Sequence, residues 1–413
     1  MTSCASNMTN VDPRQALAQS AFVLPLYTGN TSAGMLAQAP LRLLFYDPVT
    51  KDWKVYQGGD VQGVSLAYAN DTLYWGDSQK SMALNRQQLT AVEHAEDLNK
   101  LLHISPTQTG SVSLYGSVKR SMDEQEEASS YSVLEVKAGQ TSLTPVHEHF
   151  GGEVTQCADG SVWASITEIE SEHAVTDWGS PNAAGYMKIF PDADQQYIKA
   201  YGLGNQAAFS YTLTCQDHML YTLLVEVPDQ VLLSEDASEP GQEDRKFELL
   251  SFDTRTGTFS FHAIEGLGQQ ALAEGKVPAW GSNQSLIVKD ELLWISESAE
   301  VIATNLKTGS SKVKFDLVRS AELVDSPTLK LAMGQDNYRK NQYFYQGLRS
   351  SRFAFGQNQL MEISFAQSQP LVRVYSLETG KVLMERTLPK IEEYLSANYA
   401  IGDPIQTHSN QLY

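Results

Sequence analysis

Long apolar runs are missing from this 413-residue chain. The longest are broken within a few positions by polar residues, well short of the about 18 needed to span a membrane as a helix. Basic side chains are in short supply, 30 against 49 acidic ones, for a formal charge of −19. That field opposes phosphate backbones and anionic lipid surfaces, so nucleic acid is not an expected partner. Charged residues make up only 19% of the chain and apolar ones 42%. The balance excludes a disordered polymer and leaves enough apolar surface for a full core. Length alone would suggest two or three domains, but propellers and barrels run long as single units, so repeats have to be sought before boundaries.

The start of the chain has no charged segment followed by an apolar one, as a complete signal peptide would. Instead Thr2-Ser3-Cys4 leads into the polar run Ala5-Ser6-Asn7-Met8-Thr9-Asn10. Thr-Ser-Cys resembles the last three positions of a bacterial lipobox, whose cysteine becomes the lipidated first residue of a mature lipoprotein. That resemblance implies lipidation at Cys4, an extracytoplasmic, membrane-anchored location, and a flexible tether over residues 1–20. Ser/Asn/Gln-rich segments of this kind stay extended and mobile. The alternative is an incidental thiol near the chain start.

From Ala21 onward one pattern recurs: an apolar strand, a polar turn of two or three residues, and a second strand opening on an apolar or aromatic pair. Its turns are Asn70-Asp71, Asp159-Gly160, Asp217-His218, Lys289-Asp290 and Gln357-Asn358. A degenerate copy stands at Gln108-Thr109-Gly110, and a last one begins at Ile405 and turns at Ser409-Asn410. A second series alternates with the first, at Asp47-Pro48-Val49-Thr50, Asn85-Arg86-Gln87-Gln88, Lys137-Ala138-Gly139-Gln140 and Pro191-Asp192-Ala193-Asp194. It continues at Asp253 to Gly257, Asn305 to Gly309 and Ser376 to Gly380, which makes seven. Asn, Asp and Gly accept the left-handed backbone of tight hairpins, and the flanking alternation suits half-buried strands.

The first series reads as the turns between strands A and B of successive blades, the second as those between C and D. Spacings of roughly 40 to 70 residues fit four-stranded blades with variable loops. The expected fold is therefore an all-β β-propeller occupying residues 21–413 as a single domain, with seven blades on this count and six or eight as the alternatives. Its N-terminal strands, Phe22 to Tyr27, Leu41 to Tyr46 and Trp53 to Tyr56, are B, C and D of a blade whose A strand comes from the C-terminus. Such closure leaves no long exposed edge.

The Asp-x-x-Thr-Gly turns at Asp253 to Gly257 and the related Asn305 to Gly309 and Ser376 to Gly380 resemble the repeats of pyrroloquinoline-quinone-type propellers and of the related non-enzymatic envelope lipoproteins. The resemblance implies the fold more than a function. Quinoprotein dehydrogenases carry an adjacent cysteine pair that this chain lacks, so no cofactor is expected.

A–B and C–D turns lie at one end of each blade, and the B–C and D–A connections at the other. Every turn of the first kind is short. Long segments fall on the other kind, at 29–40, 119–129, 169–183, 228–245, 266–281 and 318–350. Loops on a rigid scaffold are where binding groups concentrate. In the last of them, Tyr338, Arg339, Tyr343 and Tyr345, followed by Arg349 and Arg352, gather aromatic and cationic groups in an otherwise acidic chain. Such groups suit sugars, peptides or anionic small molecules; the alternative is a loop whose aromatics cover the core. Trp178 and Trp280 are weaker candidates of the same sort.

His147 and His149, two apart on a strand, could hold a metal with Glu153, although a solvated strand end is the plainer reading, so no metal is assigned. Cys157 and Cys215 occupy the same place in neighbouring blades, as a disulfide or as two buried thiols; adjacent inner strands could stand too far apart for a bond. No nucleophile elbow, phosphate loop or zinc-protease helix appears. The expected function is a non-catalytic binding or assembly scaffold for a protein or glycan at the cell envelope. The competing expectation is a glycan- or peptide-cleaving enzyme with a carboxylate pair at the channel mouth.

Overall fold

The computed structural model describes residues 11–28, 40–61, 63–94, 98, 100–118, 129–146, 149–168, 183–191, 199–202, 206–228, 246–267, 285–296, 298–318, 351–365, 369–394 and 399–408. They form seven antiparallel four-stranded blades, the β-propeller architecture expected from the repeats.

Blade one takes β1 (Phe22–Thr28), β2 (Pro40–Asp47) and β3 (Asp52–Asp60). Blade two is β4 (Ala67–Ala69), β5 (Thr72–Gly76), β6 (Lys80–Leu84) and β7 (Leu89–Glu93). Blade three is β8 (Lys100–Pro106), β9 (Gly110–Val118), β10 (Ser129–Lys137) and β11 (Gln140–Val146). Blade four is β12 (His149–Gln156), β13 (Val162–Glu168), β14 (Ala183–Phe190) and β15 (Lys199–Gly202). Blade five is β16 (Gln206–Gln216), β17 (Met219–Pro228), β18 (Lys246–Asp253) and β19 (Thr258–Ala263). Blade six is β20 (Ser285–Val288), β21 (Glu291–Ile295), β22 (Glu300–Asn305) and β23 (Ser311–Asp316). Blade seven is β24 (Ser351–Phe355), β25 (Gln359–Ser364), β26 (Leu371–Ser376) and β27 (Val382–Thr387).

The chain then returns as β28 (Tyr399–Ile401) and β29 (Ile405–Gln406), which both pair with β1 and together supply strand A of blade one. The closing strand thus starts before the expected Ile405 and is interrupted between β28 and β29, although Gly402 N–H still donates to Pro25 O at 3.0 Å. Between the two pieces the register slips by one residue, Leu26 facing Ile401 but Val23 facing Ile405, and Pro404 has no N–H to give the ladder.

Side-chain chemistry at the turns explains why the strands reverse where they do. In blade one Asp47 Oδ1 accepts from the backbone N–H of Val49 at 2.9 Å and of Thr50 at 3.2 Å. Asn85, Asp253 and Asn305 do the same in blades two, five and six. The turn closes on a residue with positive φ, which is glycine at Gly257, Gly309 and Gly380 but Lys51 in blade one, at φ 56°. Backbone bonds then tie the C–D turn to the A–B turn of the same blade, Thr254 N to His218 O at 2.9 Å and Leu306 N to Asp290 O at 2.9 Å.

Burial follows strand position. B and C strands such as β21, β25 and β26 are buried along nearly their whole length, whereas D strands such as β7, β19 and β27 alternate with solvent. The contacts gather the chain into two compact units. One holds blades one, two, three and seven, with a core that includes the stacked Phe22 and Tyr46 rings 5.1 Å apart and Trp53 against both. The other holds blades four, five and six, with Trp163, Tyr186 and Phe252 in one cluster and Trp294 in a second.

Part of the stretch assigned to an extended tether is a helix. α1 (Pro13–Gln19) is capped by Asp12, whose carboxylate accepts from Arg14 N at 3.0 Å, and Pro13 fills its first turn. Ala16 and Leu17 are fully buried in the first unit's core, so apolar burial outweighs the polar composition of the segment. No described helix is long and apolar enough to cross a membrane.

Candidate functional site

In blades one and seven the long connections 29–39 and 319–350 leave the described structure at the ends of β1 and β24, and there three polar side chains come together. β24 starts at Ser351, whose hydroxyl points inward and donates to Glu362 Oε1 at 2.9 Å. Glu362 is buried and also accepts from the Tyr375 hydroxyl at 2.7 Å. Burial pushes its pKa up, while Tyr375, Ser351 and Arg373 pull it down. Pinning Ser351 in this way fixes its neighbour on the opposite face of the strand, Arg352.

Arg352 Nε donates to Ile401 O at 2.9 Å and its Nη1 to Ser351 O at 3.0 Å. The guanidinium therefore bridges blade seven to the closing strand just before that strand breaks. Asp403 sits in the break, where burial pushes its carboxyl up to about 6 against the pull of the Arg352 charge. Tyr27, near the end of β1, completes the group. Burial raises its phenol, Arg352 lowers it and Asp403 raises it further. The chain passes tightly here, since a Cβ on Gly402 would meet Pro25 Cγ at 3.0 Å and Tyr27 Cε1 at 3.4 Å. A fixed cation, a phenol and a carboxyl that changes charge near neutrality can together grip a ligand rich in hydroxyls or carboxylates.

A-strand irregularities recur, and polar groups occupy them. In the first unit a register shift between Leu101 and His103 breaks the β8–β9 ladder. Nε2 of His103 lies 2.6 Å from Ser105 Oγ, and burial lowers the imidazole to about 4. In the second unit the β12–β13 ladder shifts between Phe150 and Val154, and Glu153 stands inside the shift. Ser165 Oγ donates to Glu153 Oε2 at 2.7 Å, and burial pushes this carboxyl up to about 7. Reasoning from the sequence missed Asp403 and Tyr27 and read Glu153 only as a partner for a metal. The available signals were glycines, Gly151-Gly152 inside β12 before Glu153 and Gly402 between β28 and β29 before Asp403, which mark places where a ladder is disturbed.

Of the residues singled out in the sequence, Tyr338, Arg339, Tyr343, Tyr345, Arg349, Trp178, Trp280, His147 and Cys4 lie outside the described residues. His149 opens β12, and its backbone pairs with Glu168. Among the described residues no group of three or more His, Cys, Asp or Glu is placed to hold a metal. Cys157 and Cys215 are joined in a disulfide across blades four and five, with Cα atoms 5.1 Å apart. The strands converge enough near their A–B turns to bring the two within bonding range.

No family model matches the chain, and no curated protein matches it. Among solved structures, the computationally designed Ika8 protein matches with a TM-score of 0.39 and 13% identity, over 89% of this chain and 87% of that one. The Synechocystis apocarotenoid oxygenase matches at 0.42 and 8%, over 95% and 94%. AztD from Citrobacter koseri matches at 0.38 and 8%, over 92% and 88%. Likenesses this distant bear on neither activity nor ligand; the fold rests on the strand pairing itself.

Proposed function

We propose that this propeller is a non-catalytic binding protein of the bacterial cell envelope, held to the membrane by a lipid on Cys4, which grips a protein or glycan with the loop-bearing ends of its blades. The observation that carries this reading is the sidedness of the blades, seen where both ends are described. In blades one, two, five and six the C–D turns are short and closed by their own side-chain and backbone bonds. Loop ends carry the long connections and the Arg352, Asp403 and Tyr27 group. The Cys157–Cys215 disulfide supports an oxidising compartment, and the Asp-x-x-Thr-Gly turns support kinship with envelope propellers.

Cross-linking of the purified chain to isolated envelope fractions tests the reading. Cross-links should come from the loop-end lysines Lys80, Lys100 and Lys390 rather than the turn-end Lys51, Lys137 and Lys307. The opposite distribution would overturn it. Anchoring is tested separately by fatty-acid labelling of the full precursor in cells, where Cys4→Ser should abolish the label and release the protein from the membrane.

A further inference from the structure

We propose that Gln406, Thr407 and His408 form the clasp that holds the closing strand, and that the His408 arm of this clasp lets go when its imidazole takes up a proton.

The strand needs such a clasp because its own ladder is thin. It gives β1 the pairs Thr28–Tyr399, Tyr27–Ala400 and Leu26–Ile401 from β28, then Val23–Ile405 and Phe22–Gln406 from β29, with one further backbone bond between them, from Gly402 N–H to Pro25 O at 3.0 Å. The three residues at its end reach in three directions. Gln406 turns to blade seven, where its Nε2 donates to Ala354 O at 2.9 Å and its Oε1 accepts from Gln359 Nε2 at 2.8 Å. Thr407 turns to the end of α1, donating from Oγ1 to Ser20 O at 2.8 Å and from its backbone N–H to Ala21 O at 3.0 Å.

His408 turns to blade two. Its Nε2 lies 3.2 Å from Arg86 Nη2, and its ring stands edge-on to Tyr68 with centroids 6.2 Å apart. The Leu17 carbonyl takes a hydrogen bond from the ring.

A guanidinium can only donate, so Nε2 has to accept and the imidazole has to be neutral, with its proton on Nδ1 facing Leu17. Protonation puts an N–H on Nε2. Two donors, both charged, then face each other across the Arg86 contact, and that arm of the clasp is lost. The charged groups around the ring divide. Asp71 favours the imidazolium, but its Oδ1 already accepts from the Tyr68 hydroxyl at 3.2 Å. Burial, and after it the Arg86 charge, favour the neutral ring against Asp71 and the Leu17 bond, and the net effect lowers the imidazole from its ordinary 6.5. On α1, Asp12 and Arg14 neutralise one another at 2.7 Å. An imidazole lowered in the fold binds fewer protons there than in the released strand. The clasp is therefore firm above about pH 6.5, weakens as pH falls from there to the lowered pKa of the folded state, and loses no more below that point.

Hydrogen exchange on the full chain at pH 7.5 and 5.0, corrected for intrinsic rates, tests this. Opening of 405–408 and of the facing amides in 21–24 should rise on acidification, while β22 stays unchanged. His408→Gln, which keeps an acceptor but cannot titrate, should remove the step; a step of the same size in His408→Gln, or none in the parent, would overturn the proposal. Should that variant fail to fold, the parent's imidazole tautomer decides: Nδ1–H at pH 7.5 supports the clasp and Nε2–H refutes it.

Discussion

Lys51 holds the left-handed position that Gly257, Gly309 and Gly380 fill in other blades. A side chain there crowds the following carbonyl at about 1 kcal/mol, partly offset because glycine loses more freedom on folding. Lys51→Gly should raise stability by up to about 1 kcal/mol in denaturant unfolding. Glu153 makes the opposite kind of site, with its strain held in a charge. Its carboxyl is 7% exposed and titrates at about 7 rather than at its ordinary 4.5. The folded chain then holds more protons than the unfolded one between those values, so this group's contribution to stability falls as pH rises from about 4.5 to 7. Glu153→Gln should stabilise the protein by roughly 1–3 kcal/mol at pH 8, the gain vanishing near pH 4.5. Thermal unfolding across that range checks it, and a gain independent of pH would show that the carboxyl is not the cause. Neither residue's state was legible in the sequence, since a lysine in a turn and a glutamate in a strand reveal nothing until backbone and burial are known.

Elements were legible in proportion to how strongly they repeat. Strands β2 and β3 fall on the stretches read as C and D because alternating apolar residues and an Asx turn fix both register and reversal. α1 escaped notice because its seven residues stand alone in a polar stretch, though Asp12 followed by Pro13 is a start signal for a helix. Leu17 is the larger of the two buried side chains that hold α1. Leu17→Ala should therefore cost about 2–4 kcal/mol, a loss seen as a lower denaturation midpoint with little change in slope. The Cys157–Cys215 bond likewise depended on how far strands of different blades converge, which no repeat within a blade encodes.

At the scale of the whole molecule the blade count was legible because seven C–D turns recur, and closure was legible because the first strands lacked an A partner. The candidate site was less so. Arg352 could be picked out by composition, but Tyr27 and Asp403 belong to segments more than 300 residues apart in the chain that only closure brings together. Removing residues 399–408 should strip β1 of its partner on the side away from β2 and leave an open edge. Such a chain is expected to self-associate, with a molecular mass in light scattering above the parent's 45.6 kDa.

The pairing of Phe22 with Gln406 also sets a clock on biosynthesis. While the chain is being made at about 5–20 residues per second, later blades can form as they emerge. β1, although among the first strands to appear, must wait for nearly the last residue of the fold, some 20 to 80 seconds at those rates. Throughout that wait it presents the same unsatisfied edge that the truncation would create. Protection of β1 during synthesis is thus a requirement that the finished propeller no longer shows.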